Sequence, residues 1–229
     1  MNRSYPAKKA YNRSHPQELS KKTAIHEAGH AAAIYLGNKQ KQLPPVFFQI
    51  IIKEPDNECP VQGRYGASHH HFAEVEGGRL IHTLPSSIEY VFLESSADER
   101  SAYLRAVEAD IINLLVGPLA EAKYVALSDD EPINPRLVNL DSLHHYGGSS
   151  DLKTVREYLD CLLDDQAQKE KKVFELFLAA YDFINDPSNW NAITVLADYI
   201  VETGKRIIDC EEAIGILDAK KASPKKMGQ

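Results

Sequence analysis

Apolar residues gather near the start of the chain in a pattern that predicts one largely apolar helix. Two mostly apolar runs, at residues 23–25 and 31–34, lie within it. Residues 14–17 have the Ser-x-x-Gln spacing of a capping box, in which side chains satisfy the free backbone N–H groups of a helix start. Gly37-Asn38 predicts the end of this helix at about Leu36.

A strand pattern follows the first helix. Residues 46–53, with the sequence VFFQIIIK, are rich in β-branched and aromatic side chains, which favour an extended strand. Residues 63–72 are predicted to pair with this strand in the antiparallel sense. Residues 77–83 are predicted to form an irregular segment or a short strand. The pattern therefore predicts a small sheet next to the first helix.

A second capping box, Ser96 with Glu99, predicts the start of a long helix that runs to about Ala126. Pro118 is expected to kink or split this helix, because proline lacks the backbone N–H and its ring clashes with the preceding turn. Residues 128–148 follow as a loop rich in Asp, Pro, Gly and His. Loops of this length inside a compact domain are often functional.

The last third of the chain is predicted to be helical. Residues 151–185 form mostly helix, residues 191–202 form a further helix that Gly204 closes, and Asp209 caps a short final one. The predicted fold is therefore mostly α, in the α+β class, with a small β-sheet. We expect three regions along the chain: a flexible basic arm at residues 1–13, one domain at 14–218 and a loose Lys-rich tail at 219–229.

Composition and charge exclude some classes of function. The 229 residues carry a net charge of −7 with a pI near 5.7, which argues against nucleic acid as the main partner. Residues 1–22 lack an apolar signal-peptide core and no run of about 18 apolar residues occurs, so neither secretion nor a membrane span is expected. The cysteines Cys59, Cys161 and Cys210 are scattered and odd in number, which favours a reducing, cytoplasmic location.

The residues His26-Glu27-Ala28-Gly29-His30 match the pattern H-E-x-x-H inside the apolar helix. Residues four apart lie on one face of a helix, so His26 and His30 can bind the same metal ion. Zinc accepts imidazole ligands and, in catalytic sites, keeps one position open for water, where Glu27 can act as general base. The motif predicts metal-assisted hydrolysis, most often of a peptide bond.

The alternative is that both histidines are ordinary helix residues. Two imidazoles without partners would be costly in an apolar helix, which argues for a bound metal. Gly29 in the middle of the helix costs roughly 1 kcal/mol relative to alanine, which predicts a close packing contact at that position.

Two histidines leave a zinc site incomplete, and the residues alone leave the third ligand open. A further histidine six residues beyond His30 is missing, because that position is Leu36. Glu54 has the spacing of a glutamate ligand but follows a strand and precedes a proline. Asp151 follows Gly147-Gly148 at a predicted helix start, where a carboxylate either binds the metal or only caps the helix.

Several motifs in the same order resemble the protease domain of the FtsH family of ATP-dependent zinc metalloproteases, over most of residues 20–218. After the H-E-x-x-H helix and the strand come LLVGPLAEA, similar to the family's Leu-Leu-Gly-Gly-Arg-Ala-Ala-Glu-Glu helix, then GSSDL, similar to its Gly-Ala-x-Asn-Asp-Leu/Ile segment, and last the helices of residues 189–217. The resemblance implies an FtsH-like helical fold and makes Asp151 the third zinc ligand.

The chain departs from the family pattern at several positions. Pro118 and Leu119 replace Gly and Arg, Ala122 replaces a Glu, and Ser150 replaces an Asn. No Gly-x-x-x-x-Gly-Lys-Ser/Thr sequence occurs, since Gly204-Lys205 is followed by an arginine and lacks the upstream glycine. ATP-driven unfolding is therefore not expected within this chain.

Further residues are candidates for supporting roles. By resemblance Glu121 lies behind the metal, where it either holds a ligand imidazole through its second ring N–H or is a plain helix carboxylate. His69-His70-His71 either bind a metal or face water, and the alternation of side chains along a strand favours water. His144-His145 either line the substrate cleft or lie on the loop surface, and the surface is favoured.

These observations predict a zinc-dependent metalloendopeptidase that hydrolyses extended or unfolded polypeptides and lacks an ATPase of its own. A substrate is expected to add to the strand near residues 46–54 by backbone hydrogen bonds, against Phe48, Ile50 and Ile52. Two alternatives stay open. One is a metal-bearing module that binds polypeptide with little cleavage. The other is a protease subunit that docks on a separate ATPase, singly or as a homo-oligomer.

Overall fold

Helix α1 (Lys21–Ala32) carries the H-E-x-x-H motif, and Ser20 caps its start by accepting a hydrogen bond from the backbone N–H of Lys22. The computed structural model describes residues 20–53, 73–83, 96–134 and 138–219. The predicted capping box at residues 14–17 lies outside these ranges, as do the basic arm and the tail from residue 220 onward.

The helical path does not end at Gly37, and that prediction is wrong. A π-helical turn (Ala33–Gly37) follows α1, and a short helix α2 (Asn38–Gln40) extends it. Gly37 keeps right-handed helical torsions, with φ of −65°, and Asn38 is only 2% exposed. Burial of this turn therefore overrides the glycine stop signal.

The sheet has three antiparallel strands in the order β2-β1-β3. The central strand β1 (Phe48–Ile52) confirms the strand predicted at residues 46–53. Strand β2 (Ala73–Gly77) pairs along its whole length, and β3 (Ile207–Ile208) pairs with its second half, so that Ile50 lies opposite both Val75 and Ile208.

The pairing of the sheet differs from the prediction. The described partners of β1 are β2 and β3, and neither was predicted as a strand at these positions; residues 63–72, the predicted partner, lie outside the described ranges. After β2 the chain turns through Gly77 and Gly78, both with positive φ, into a 3-10 helix (Leu80–Thr83). Gly77 is the last residue of β2, and residues 78–83 form a turn and a 3-10 helix, which agrees with the predicted irregular segment rather than with a short strand.

Helix α3 (Ala97–Ser128) confirms the second capping box, since the side chains of Ser96 and Glu99 each bond the other residue's backbone N–H. Pro118 lies inside it and does not split it, so of the two predicted outcomes, a kink or a split, the split is wrong. An internal proline costs about 3 kcal/mol. Burial of nearly every residue from Ala106 to Ala120 supplies the compensating stabilisation.

Helix α3 is also long and apolar enough to cross a membrane on length and composition alone, with a mean hydropathy of 1.3 over its most apolar window. Inside the protein 61% of that window is buried. The core helix of a soluble protein passes the same test, so this feature is weak evidence for a membrane segment.

The remaining helices are α4 (Ser149–Leu162), α5 (Gln166–Asn185), α6 (Pro187–Glu202) and α7 (Cys210–Ala219). The region predicted as one mostly helical stretch is thus two helices, and Asp165 caps the second by accepting from the backbone N–H of Gln168. Asp209 accepts from the backbone N–H of Glu212 at the start of α7, which confirms the predicted cap.

Helix α1 lies at the centre of the fold, packed against α3 and α6 and in contact with β2. All residues from Ala24 to Ala32 are buried. The predicted class, mostly helical with a small sheet beside the first helix, is therefore confirmed. Burial of the whole central turn of α1 is what places its histidines inside the protein rather than on its surface.

Candidate metal centre

Two helices bring three ligand-type side chains together. Helix α1 places His26 and His30 one turn apart, with ring centroids 4.8 Å from each other. The first turn of α4 places Asp151 against both, with Oδ2 3.4 Å from His26 Nε2 and Oδ1 3.5 Å from His30 Nε2. Within the described part of the chain these residues form a group that could hold a metal ion, with candidate ligand atoms all within 4.8 Å of one another.

The opposite ring nitrogens of both histidines contact acceptors outside the triad. His26 Nδ1 lies 3.1 Å from the carbonyl oxygen of Tyr146 and 3.2 Å from Glu121 Oε2, and His30 Nδ1 lies 2.8 Å from the carbonyl oxygen of Asn113. A backbone carbonyl can only accept, so each Nδ1 carries a proton and donates it. Each Nε2 is thereby turned towards Asp151, which is the arrangement that metal-binding histidines use.

Glycines bring the backbone close to the triad. Gly147 has φ of +73°, and a Cβ built there would lie 3.0 Å from His26 Nδ1. A Cβ built on Gly29 would lie 3.0 Å from the Ala120 Cβ, so α1 and α3 are in close contact at this point. The close packing predicted at Gly29 is therefore confirmed.

Glu27 lies next to the triad and is only 9% exposed. Its Oε2 accepts a hydrogen bond of 2.9 Å from the backbone N–H of Val75 in β2. Burial raises the pKa of Glu27, while the neighbouring His26 and His30 and the Val75 N–H act in the opposite direction. The backbone of β2 thus holds Oε2 of Glu27, and Oε1 takes no part in that hydrogen bond.

The charges of the triad are strongly coupled when no metal is bound. Burial alone would lower the pKa of His26, but hydrogen bonds to Asp151 and Glu121 outweigh it and raise the pKa to about 10. Burial alone would raise the pKa of Asp151, but the adjacent imidazoles of His30 and His26 outweigh it and hold the pKa well below its usual range. The site therefore balances buried negative charge with positive charge, which a metal cation also supplies.

A cavity of about 730 Å³ opens onto the triad. Its walls are α1, β2 with the turn that follows it, the middle of α3 and the start of α4. Glu27, Glu121 and Asp151 line it together with both histidines of the motif. The arrangement provides two imidazole nitrogens and the Asp151 carboxylate for a cation, with the carboxylates of Glu27 and Glu121 in the same cavity wall.

The structure corrects the predicted substrate strand. Phe48 and Ile50 are 1% and 0% exposed, Ile52 is half-buried, and none of the three lines the cavity. Strand β1 is central, with β2 on one edge and β3 on the other. The strand that borders the cavity is β2, whose residues Ala73 and Val75 line it.

Other predicted candidates lie apart from the triad or outside the described ranges. Glu121 is beside His26, as given above. His144 and His145 are exposed on a 3-10 helix (Leu140–Tyr146), with their rings 3.7 Å apart, and do not line the cavity. Glu54 and His69-His70-His71 lie outside the described residues. Cys161 and Cys210 are free thiols.

The contacts that the sequence did not predict are made by backbone atoms. The carbonyl groups of Asn113 and Tyr146 orient the two histidines, and the N–H of Val75 holds Glu27. Backbone groups are present at every position, so no residue type signals them. Only the glycine pair before Asp151 indicated that the chain passes close to the site. Comparisons of this chain with protein-family models and with curated proteins find no match.

Proposed function

We propose that this protein is a zinc-dependent metalloendopeptidase that acts on extended or unfolded polypeptides and resembles the protease domain of the FtsH family. The observation that carries the proposal is the meeting of His26, His30 and Asp151 in one buried group, with the Glu27 carboxylate in the same cavity. A structural metal site would have no need of the open cavity or of the further carboxylate of Glu27.

The donor set fits zinc. His26, His30 and Asp151 would hold the ion through two imidazole nitrogens and one carboxylate, which are ligand types that zinc accepts. Asp151 faces both rings, with Oδ2 3.4 Å from His26 Nε2 and Oδ1 3.5 Å from His30 Nε2, and the candidate ligand atoms all lie within 4.8 Å of one another. Imidazole also suits iron, copper and nickel, so the metal itself has to be identified by measurement.

Glu27 supports hydrolysis rather than simple binding. A bound zinc ion supplies Lewis-acid polarisation of a carbonyl group and lowers the pKa of water. Glu27 then accepts the proton of the attacking water and donates it to the amine that leaves. The hydrogen bond from Val75 restricts the orientation of its carboxylate, and burial raises its pKa, which favours return of the proton.

The substrate would lie between β2 and α1. The backbone N–H of Gly78 donates to the carbonyl oxygen of Phe47 at 2.8 Å. With the antiparallel register of β2 on β1, the backbone N–H and C=O groups of Glu74 and Glu76 therefore also point towards β1. In an antiparallel pair the alternate residues point away, and Val75 accordingly donates to Glu27. The remaining outward groups of Ala73, Val75 and Gly77 are available for an extended peptide.

One observation favours the second candidate, a module that binds polypeptide with little cleavage. Glu27 already accepts a backbone hydrogen bond, and a carboxylate held in this way competes less well for a water proton. The two candidates share the cavity and the metal and differ in turnover. A protease subunit that docks on a separate ATPase shares all of these features.

Metal analysis combined with digestion of an unfolded, casein-type protein tests the proposal. We expect about one zinc ion per chain, loss of cleavage on chelation and recovery when zinc is restored. Glu27→Gln should retain zinc while cleavage falls by roughly 100-fold or more. Glu157→Gln, a change at an exposed carboxylate of α4, is the matched control and should cleave normally. Zinc binding with polypeptide binding but no turnover would favour the binding module, and cleavage by Glu27→Gln at the wild-type rate would exclude Glu27 as the base.

A further inference from the structure

Arg79 is a cation in the wall of the cavity that the proposed chemistry does not use. It follows the Gly77-Gly78 turn at the end of β2 and is half-buried. It lines the same cavity as the metal triad. Among the described residues, no carboxylate forms an ion pair with its guanidinium group.

The acidic group whose charge interacts with that of Arg79 makes its described hydrogen bonds elsewhere. Asp110 is fully buried on α3, and its charge interacts with that of Arg79, but its two oxygens accept the backbone N–H groups of Leu80 and Ile81 at 2.9 and 3.0 Å. Asp110 therefore fixes the backbone directly after Arg79 and attracts the guanidinium group without occupying its hydrogen-bond donors. Tyr158 of α4 also lies within reach of the Arg79 charge, which opposes the rise in its pKa that burial causes.

The position of Arg79 along the cleft follows from contacts between β2 and the helical run of α1. Val75 bonds Glu27, and a Cβ built on Gly78 would lie 2.4 Å from Ile34 Cδ1. Along the helical run of α1, Ile34 lies on average about six residues beyond the two histidines. At 1.5 Å per residue this is a distance of about 9 Å along the helix axis. An extended peptide rises about 3.3 Å per residue, so the backbone at Gly78, next to Arg79, lies about two to three peptide residues from the histidines along the cleft.

We propose that Arg79 binds a carboxylate of the substrate two to three residues from the bond that is cleaved. The guanidinium group offers a planar pair of donors that matches a carboxylate. The carboxylate is either an acidic side chain or the free C-terminus of a peptide that ends there. The inference rests on the proposed function, because it assigns substrate preference to the same cleft.

Internally quenched peptides provide the test. One series carries a single Glu or Gln at each position up to four residues on either side of the cleavage site, and a second series ends two or three residues beyond it with a free or an amidated C-terminus. We expect Glu over Gln to raise kcat/KM by about tenfold or more at one such position, mainly through KM. A preference for the free C-terminus alone identifies the terminal carboxylate as the ligand.

Variants assign the preference to Arg79. Arg79→Gln should abolish the preference for Glu over Gln. Arg79→Lys should retain part of this preference, because lysine keeps the positive charge but lacks the planar pair of N–H donors. Arg156→Gln changes an exposed arginine of α4 outside this cavity and should leave the Glu/Gln ratio as in the wild type. An unchanged ratio in Arg79→Gln would overturn the inference.

A binding measurement separates this inference from the proposed function. Fluorescence anisotropy of the same Glu and Gln peptides with zinc-loaded Glu27→Gln requires no turnover. Tighter binding of Glu peptides that depends on Arg79 supports the carboxylate site even if the wild type cleaves nothing. Cleavage without any carboxylate preference leaves the peptidase proposal intact and removes the role of Arg79.

Discussion

The imidazole of His30 lies directly on the backbone of Gly117. A Cβ built on Gly117 would be 2.3 Å from His30 Nε2, 2.4 Å from Cε1 and 2.7 Å from Cδ2. No side chain fits in that space, so the ring position requires glycine on α3. The same ring is held from its other side by the hydrogen bond between Nδ1 and the Asn113 carbonyl. Helix α3 therefore sets both the position and the orientation of one proposed ligand.

Gly117→Ala should displace His30 and sharply weaken metal binding. The added methyl group overlaps the ring, so either the imidazole rotates away from Asp151 or α1 moves from α3. Zinc affinity by competition with a chromophoric chelator measures the effect, with circular dichroism to show that the helices persist. Gly215→Ala is the matched control, because a Cβ there meets nothing within 4 Å, and its helical setting predicts a small gain in stability. Wild-type affinity in Gly117→Ala would contradict the contact.

Asp151→Asn should weaken zinc binding by more than 100-fold. The amide keeps the shape of the side chain but removes the charge that faces both Nε2 atoms, whereas loss of an outer partner alone typically costs 10- to 100-fold. Asp160→Asn on the same helix alters an exposed carboxylate paired with Lys169 and should have no effect on zinc. If Asp151→Asn bound zinc normally, another group would have to supply the third ligand.

The sequence predicted the elements and the candidate ligands of this site better than their surroundings. The spacing of His26 and His30 needs only helix geometry, so this pair could be found locally. The glycines before Asp151 indicate a tight turn, but they left its role open between ligand and helix cap, and only the resemblance to the FtsH family selected it. The substrate strand was misassigned because the apolar residues of β1 indicate only that one face of the sheet is buried. They do not indicate which strand forms the open edge of the sheet. That edge depends on β2 and on the two-residue strand β3, which are brought to β1 from distant parts of the chain.

The misread helix boundaries have a similar origin. Gly37 and Pro118 are strong local breakers, but Gly37 is buried and Pro118 lies in the buried middle of α3. Tertiary packing outweighs local propensity at both positions. The residues that pack against Gly37 and Pro118 are distant in sequence, so a local pattern could not predict that the helical path continues through these two positions.

Glu121→Ala should weaken metal affinity by about 10- to 100-fold, a typical effect for an outer partner of a ligand histidine. His26 Nδ1 keeps its contact with the Tyr146 carbonyl, so the ring loses one acceptor rather than both. Glu121→Gln retains an acceptor oxygen and should lie between Ala and the wild type. Competition with a chromophoric chelator gives the three affinities. Equal affinity in all three would mean that Tyr146 alone orients the ring.

Zinc binding should release about one proton from His26 near pH 7. With no metal bound the pKa of His26 is about 10, so the imidazole is protonated and must lose that proton to bind zinc. Titration calorimetry in buffers of different ionisation enthalpy counts the protons. A count of zero at pH 7 would show that His26 is neutral before the metal arrives.

The same shift predicts how stability depends on pH. A raised pKa stabilises the metal-free protein fully below the unfolded value of about 6.5, and this contribution is lost as pH rises to about 10. Chelated protein should therefore lose stability between about pH 6.5 and 10, measured by urea unfolding. Zinc-loaded protein lacks this proton and should not show the loss. Parallel curves for both forms would contradict the assignment to His26.

Degradation by this chain alone should be limited to peptides and unfolded proteins, whatever the nucleotide present. The sequence contains no phosphate-binding loop, and the proposed active site lies in a cavity between α1, β2 and α4, where we propose that the substrate binds in an extended conformation. A folded substrate has to open locally first, at a cost of several kcal/mol. The measurement compares a stable folded protein with its permanently unfolded variant, with and without ATP, using highly purified protein. We expect cleavage of the unfolded variant only, and of the folded form only after a partner ATPase is supplied. ATP-stimulated degradation of the folded protein by the purified chain would show that it has an energy-dependent unfolding activity of its own.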